Sequence, residues 1–207
     1  MRALFDLLDR TGDQLVDLPL WDPAAHDAVA GVGPGWLVVS STALDSLTPS
    51  AALARAWANE STALARGATV VRAGLRYGPG RTDGLSRLLA ARRAGRGRRV
   101  ALRSPDLRCQ PIHELDLAGA LNHISRVAEP GARIDVVGPE TVRIGELVRR
   151  VIDLDGGAGT IRRRVGLSGN WPDTETLSPG TEIPGWSPVP LNRRLAEELH
   201  GLRSVRP

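Results

Sequence analysis

Lysine is absent from this chain of 207 residues; all 27 basic side chains are arginine. That absence excludes Schiff-base chemistry, a phosphate-loop lysine and a lysine that lowers the pKa of a neighbouring tyrosine. Cysteine occurs once, at Cys109, so no disulfide can form within the chain. Aromatics make up 3%, with one tyrosine (Tyr77) and one phenylalanine (Phe5). Stacking platforms for nucleic-acid bases need several aromatics on one face, and the net charge is only +4, so no nucleic-acid partner is expected. No apolar run approaches the ~18 residues of a membrane span. The start of the chain has no long apolar stretch or small-residue cleavage site. A cytoplasmic protein without membrane contact is therefore expected. The spacing of His26, His113, His123 and His200 fits no metal-ligand pattern.

What is present is an alternation of strands and helices. Residues 36–41, Trp-Leu-Val-Val-Ser-Ser, form the kind of continuous apolar run that a buried parallel strand requires. Further strands are expected near residues 15–18, 68–72, 133–137 and 161–165. Helices are expected over 2–10, 51–66 after Thr48-Pro49, from Asp83 to near Gly95, from Asp116 to about Val127, from Thr141 to about Asp153, and over 191–200 after Pro190. Residues 19–35 read as loop with a short helix. Residues 154–189 are rich in glycine, proline, serine and aspartate, with little periodicity. Strands alternating with helices predict a parallel α/β sheet. The chain reads as one domain, with a core over 1–153 and a small lobe over 154–207 interleaved with it.

Four segments carry a resemblance. Residues 38–42 read Val-Val-Ser-Ser-Thr; residues 70–80 read Val-Val-Arg-Ala-Gly-Leu-Arg-Tyr-Gly-Pro-Gly; residues 111–121 read Pro-Ile-His-Glu-Leu-Asp-Leu-Ala-Gly-Ala-Leu; residues 185–188 read Gly-Trp-Ser-Pro. In this order they resemble the second half of the NAD-dependent epimerase/dehydratase family, the extended short-chain dehydrogenase/reductases. The resemblance implies a shortened Rossmann-like parallel sheet with a small C-terminal lobe of the substrate-binding type. It places Thr42 at the catalytic hydroxyl position, and Tyr77 and His113 beside the substrate cleft. It also puts Ser41, Arg76 and Arg108 on the substrate-binding side, with Arg72 and Arg103 on segments nearby. Asp17 and Asp45 are further candidates to flank that cleft.

Two departures stand out. The acidic residue that follows the family's Tyr-x-x-x-Lys pair matches Glu60, and counting back puts Ala52 at the tyrosine and Ala56 at the lysine. Alanine can neither transfer a proton nor hold a nicotinamide ribose. The family's glycine-rich pyrophosphate turn has no counterpart either; Gly31-Val32-Gly33-Pro34-Gly35 precedes a strand instead of following one. The lone chain is accordingly expected to bind no NAD and to need no other cofactor. Three functions follow as expectations. One is a repurposed enzyme performing cofactor-independent isomerisation, elimination or cyclisation on a small metabolite of a biosynthetic pathway, with Thr42, Tyr77 or His113 as its polar groups. Another is a non-catalytic subunit or binding protein that pairs through an open sheet edge. The last is a split oxidoreductase completed by another chain. The edge near Leu15 calls for a cover, supplied by residues 1–12, by a second copy or by a different protein. A homo-oligomer could use the alanine-rich helix with Trp57.

A His113 paired with Ser40, Ser41 or Cys109 would imitate a nucleophile and its base, although no spacing supports it. The arginine-rich run at residues 92–99 reads as a solvated turn at the end of a helix.

Overall fold

The structure is a computed structural model, and it describes residues 14–17, 23–46, 51–96, 99–157, 159–163, 171 and 175–201. The expected helix over 2–10 and the Thr48-Pro49 cap lie outside the described residues.

Four parallel strands form the main sheet in the order β1-β2-β3-β8: β1 (Gln14–Val16), β2 (Trp36–Ser41), β3 (Thr69–Ala73) and β8 (Arg133–Val136). Alternation divides their side chains between two apolar layers. Val16, Val38 and Val70 face helices α1 (Pro23–Ala30) and α2 (Ala51–Ala65) and pack with Ala25, Val29, Ala56 and Ala63. Leu37, Val39, Val71 and Val136 face the other way, onto α4 (Glu114–Val127), where Leu117, Leu121 and Ile124 meet them. Both faces of the sheet are thus covered, as a parallel sheet requires. β3, between β2 and β8, is buried at every residue. The expected α/β architecture is what the chain adopts.

The remaining elements build a third apolar cluster at the C-terminal side of this sheet. They are β4 (Leu75–Tyr77), α3 (Gly84–Arg93), β5 (Arg99–Leu102), β6 (Arg108–Cys109), β7 (Pro111–His113), β9 (Val142–Arg143), α5 (Ile144–Leu154), β10 (Thr160–Arg163) and α6 (Leu191–His200). Leu85, Leu89, Leu102, Leu147, Val151, Leu191 and Leu195 form its centre. Three two-stranded pairings tie it together: β4 with β7 and β5 with β10, both parallel, and β6 with β9, antiparallel. Gly74 joins β3 to β4 at a close crossing. A Cβ there would lie 2.3 Å from the carbonyl oxygen of Gln110, so only glycine fits.

Two helix starts differ from expectation. Asp116 does not cap α4; His113 does, its Nδ1 accepting from the Leu115 N–H at 3.2 Å. Asp116 is instead drawn inward by Arg194. Thr141 does not cap α5, because Val142 and Arg143 are held in β9 and Arg143 takes the cap position without a side-chain bond. Asp83 caps α3 as expected, accepting from the Ser86 N–H at 3.0 Å.

The sheet's two edges are finished differently. Beside β8, Thr181 N–H donates to the Asp135 carbonyl at 2.8 Å, and Asp135 N–H donates to Thr181 Oγ1 at 3.0 Å. Ser178 Oγ donates to the Asp135 carboxylate at 2.5 Å. Among the described residues, no strand pairs with the outer edge of β1.

Candidate functional site

In open α/β sheets, ligands bind beyond the carboxyl ends of the strands. Here that rim is built from Asp17 after β1, Ser41 and Thr42 at the end of β2, and Gly74 through Tyr77 after β3.

Thr42 opens a short 3-10 helix (Thr42–Ser46) and is buried, with its hydroxyl donating to the Ala73 carbonyl at 3.4 Å. Ser41 Oγ accepts from the Ala43 N–H at 3.2 Å. Both hydroxyls thereby fix the turn that leaves β2. Ser40 points to the opposite layer, where its buried Oγ has no hydrogen-bond partner among the described residues.

Arg76 lies between two carboxylates. It donates from Nη1 and Nη2 to Asp17 at 2.5 and 2.7 Å, and from Nε and Nη2 to Glu114 at 2.9 and 3.0 Å. These bidentate contacts raise its already high pKa against the cost of burial. Arg81 stands 3.5 Å from Glu114 and brings the cluster to two charges of each sign. Arg76 thus joins β4 to the end of β1 and to the first turn of α4.

Tyr77 and His113 are partners across the β4–β7 pairing, and their rings meet edge to face at 5.1 Å between centroids. Both are buried. His113 Nδ1 accepts a backbone N–H, so the ring proton sits on Nε2 and is donated to Glu198 Oε1 at 3.1 Å. Both nitrogens are engaged. His113 would have to release the Leu115 N–H before it could take a proton from a substrate. Burial and the nearby Asp116 carboxylate push the Tyr77 phenol far above its ordinary value. Its hydroxyl therefore stays protonated at neutral pH, available as a donor and not as a base.

Helix α6 closes this region with charge. Arg194 Nε and Nη2 donate to the buried Asp116 carboxylate, and Nη1 donates to Glu197 at 2.7 Å. Glu198 also accepts from Arg93. The His113 bond, with Arg93 adding to it, holds the Glu198 carboxyl below the usual carboxylate range against burial.

Arg108 stands apart from the rim. It is exposed and paired with Glu175 at 3.0 Å. Cys109 is buried, and burial pushes its thiol up to about 12, so it carries no thiolate at neutral pH. The candidates therefore fall into three groups. Tyr77 and His113 touch, and Thr42 and Ser41 share a turn, whereas Arg76 and Arg108 belong to separate ion pairs. Glu114, Arg194 and Glu198 are parts of the site that the sequence did not single out. Glu114, Arg194 and Glu198 reach Arg76, Asp116 and His113 across 38 to 85 residues, beyond the reach of any local pattern.

A further charged group lies on the α2 side. Arg72 donates twice to buried Glu60, at 2.8 and 2.6 Å, and to Asp45 at 2.8 Å, while its guanidinium lies 4.8 Å from the Trp57 ring centroid. One turn before Glu60, Ala56 is fully buried among Val38, Leu44 and Val70. Ala52 is exposed. The lysine position is thus sealed into an apolar layer, and the tyrosine position offers only a methyl group. Neither alanine fits the task of holding a nicotinamide ribose, and no hydride step is derived through these residues. Among the described residues, no group of His, Cys, Asp and Glu side chains could hold a metal, and no helix is long and apolar enough to cross a membrane.

No family model and no curated protein matches the chain. Solved structures do. RMD from Pseudomonas aeruginosa complexed with NADPH superposes with a TM-score of 0.61 at 18% identity, over 80% of this chain and 65% of that one. The dTDP-glucose 4,6-dehydratase from Bacillus anthracis in complex with NAD gives 0.66 at 14% identity, over 86% and 63%. MoeE5 with UDP-glucuronic acid and NAD gives 0.64 at 21%, over 84% and 67%. The chain spans less than two thirds of the length of the first two. These structures correct the expectation of a protein with no cofactor: several of the solved structures that share this architecture are complexes with NAD or NADPH. The chain carries the Rossmann-like fold that these dehydratase and epimerase structures share.

Proposed function

We propose that this chain is a binding subunit on the epimerase/dehydratase fold. It joins a protein partner that completes the sheet at β1, and a nicotinamide dinucleotide is taken only in that assembly, where the partner supplies the ribose and pyrophosphate contacts that this chain lacks. It does not itself run the family's tyrosine–lysine proton transfer. One observation carries this reading: the polar groups kept at the rim are spent on internal bonds, while the lysine position is sealed among apolar side chains. The solved neighbours supply the ligand class, since they hold NAD or NADPH. The outer edge of β1, with which no strand pairs among the described residues, supports a partner there, either a second copy or a complete homologue.

Native mass spectrometry of the purified chain, with and without NAD+ and NADH, tests this reading. A parallel assay follows NADH absorbance with a panel of sugar nucleotides. The expected result is an oligomer that gains dinucleotide mass and turns over no sugar nucleotide. A lone chain that oxidises or reduces a sugar nucleotide overturns the assignment. So does a monomer that takes up a dinucleotide on its own.

A further inference from the structure

The arginine-rich run at residues 92–99 leaves α3 through an exposed turn at Ala94 and Gly95, as expected. Its last residue, Arg99, begins β5, which pairs in parallel with β10. The inner face of this ribbon is apolar: Val100, Leu102 and Ile161 pack into the cluster around α3 and α5. Strict alternation sends Arg99, Ala101 and Thr160, with Arg162, to the other side, and all four are exposed. Arg103, one residue past β5, is exposed as well.

Ala101 is the centre of this outer face. Arg99 and Arg103 lie two residues to either side of it, about 6.6 Å each along the strand. Arg162 is its partner across the pairing, about 4.8 Å away. Three exposed arginines therefore flank Ala101, two along the chain and one across the pairing. Among the described residues, no carboxylate pairs with any of the three, whereas Arg72, Arg76, Arg93, Arg108, Arg150 and Arg194 all have acidic partners. Like charges on neighbouring strands repel. Guanidinium is also the side chain best shaped to grip the oxygens of a phosphate in pairs.

We propose that this face is a phosphate site, in which Arg99, Arg103 and Arg162 bind the dianionic phosphate of a small phosphorylated metabolite over Ala101. Three cations around one small floor match a compact group of high charge. A nucleic-acid strand would instead need a longer basic track with aromatics for its bases, which this ribbon lacks. The site is separate from the rim at the carboxyl ends of the main sheet and does not depend on the function proposed there.

The test is isothermal titration of the full chain with inorganic phosphate and phenyl phosphate at low salt, repeated at high salt. Binding is expected, and it should weaken as salt rises. Ala101→Glu places a carboxylate at the centre and is expected to weaken binding about tenfold or more, as bidentate contacts to charged groups are lost. Should that variant fail to fold, the triple variant Arg99→Gln, Arg103→Gln, Arg162→Gln changes only exposed side chains and is expected to abolish binding. Phosphate affinity unchanged in the triple variant overturns the proposal. So does binding of a single-stranded oligonucleotide by a chain that ignores both phosphate probes.

Discussion

The two edges of the main sheet are secured by different chemistry. Beside β8, the chain returns at residues 178–181 and meets the strand with backbone and hydroxyl hydrogen bonds centred on Asp135. At β1 the anchor is ionic: Asp17, just past a three-residue strand, is held by Arg76, which also holds Glu114 on α4. A neutral edge of this kind is satisfied within the chain. An ionic anchor fixes the end of a strand while leaving its outer backbone groups without a described partner. The difference lies in what each anchor leaves unpaired among the described residues.

The comparison breaks most sharply at Arg76. Arg76→Met leaves two mostly buried carboxylates facing each other with only Arg81, 3.5 Å from Glu114, to offset them. Removing one partner of a buried pair costs about 3–5 kcal/mol, so chemical denaturation should report a loss of that order. Hydrogen exchange should report β1 opening before β8. If β1 and β8 lose protection together, the ionic anchor is not what holds that edge.

A second ionic joint tests whether charge can be told from neutral bonding by pH. Glu198 binds His113 and Arg93, and its folded pKa is lowered. A carboxylate with a lowered folded pKa contributes stability that is fully present above its unfolded value, about 4.3. That stability is lost as pH falls through the lower, folded value. Wild-type stability should therefore decline on acidification below about pH 5, and Glu198→Gln should start lower at neutral pH and decline less. Parallel curves for the two proteins would remove Glu198 from the account.

The smallest effect is expected at the neutral edge. Thr181→Val removes the side-chain acceptor of the Asp135 N–H at an exposed position. Water can replace that acceptor, so the loss should be about 0.5–1 kcal/mol. Thermal melts of this variant beside Arg76→Met measure the ratio of the two anchors. A Thr181→Val melt as low as that of Arg76→Met would erase the contrast.

The periodic parts of the fold were legible in the sequence. The strand at 36–41 and the helix at 191–200 lie where their patterns place them, because apolar runs and a proline start are local signals. The strand expected at 68–72 is displaced by one residue, and the one expected at 161–165 starts one residue earlier. The short pairings β4–β7 and β6–β9 carry too few residues for any period, and tertiary packing alone creates them. Asp116 looked like a cap because aspartate favours helix starts. The strand pairing of His113 with Tyr77 moved the cap three residues earlier, and Arg194 claimed the carboxylate. Sequence located the candidate residues Tyr77, His113 and Arg76 but not what occupies them. Glu198 and Glu114 reach them only once α6 and α4 have docked. The sealing of Ala56 likewise depends on the packing of β2 and β3 against α2.

The contact between Gly78 and His113 has a consequence for engineering by recombination. A Cβ at Gly78 would stand 2.9 Å from His113 Nε2, in a backbone conformation that glycine favours. The Tyr-Gly-Pro-Gly turn and the Pro-Ile-His strand, more than thirty residues apart, are therefore two halves of one mechanical joint. A chimera that imports one half from another protein should keep its foldedness only if the other half travels with it. The survival of both motifs in one chain is then a record of that shared fit, whatever chemistry the chain performs.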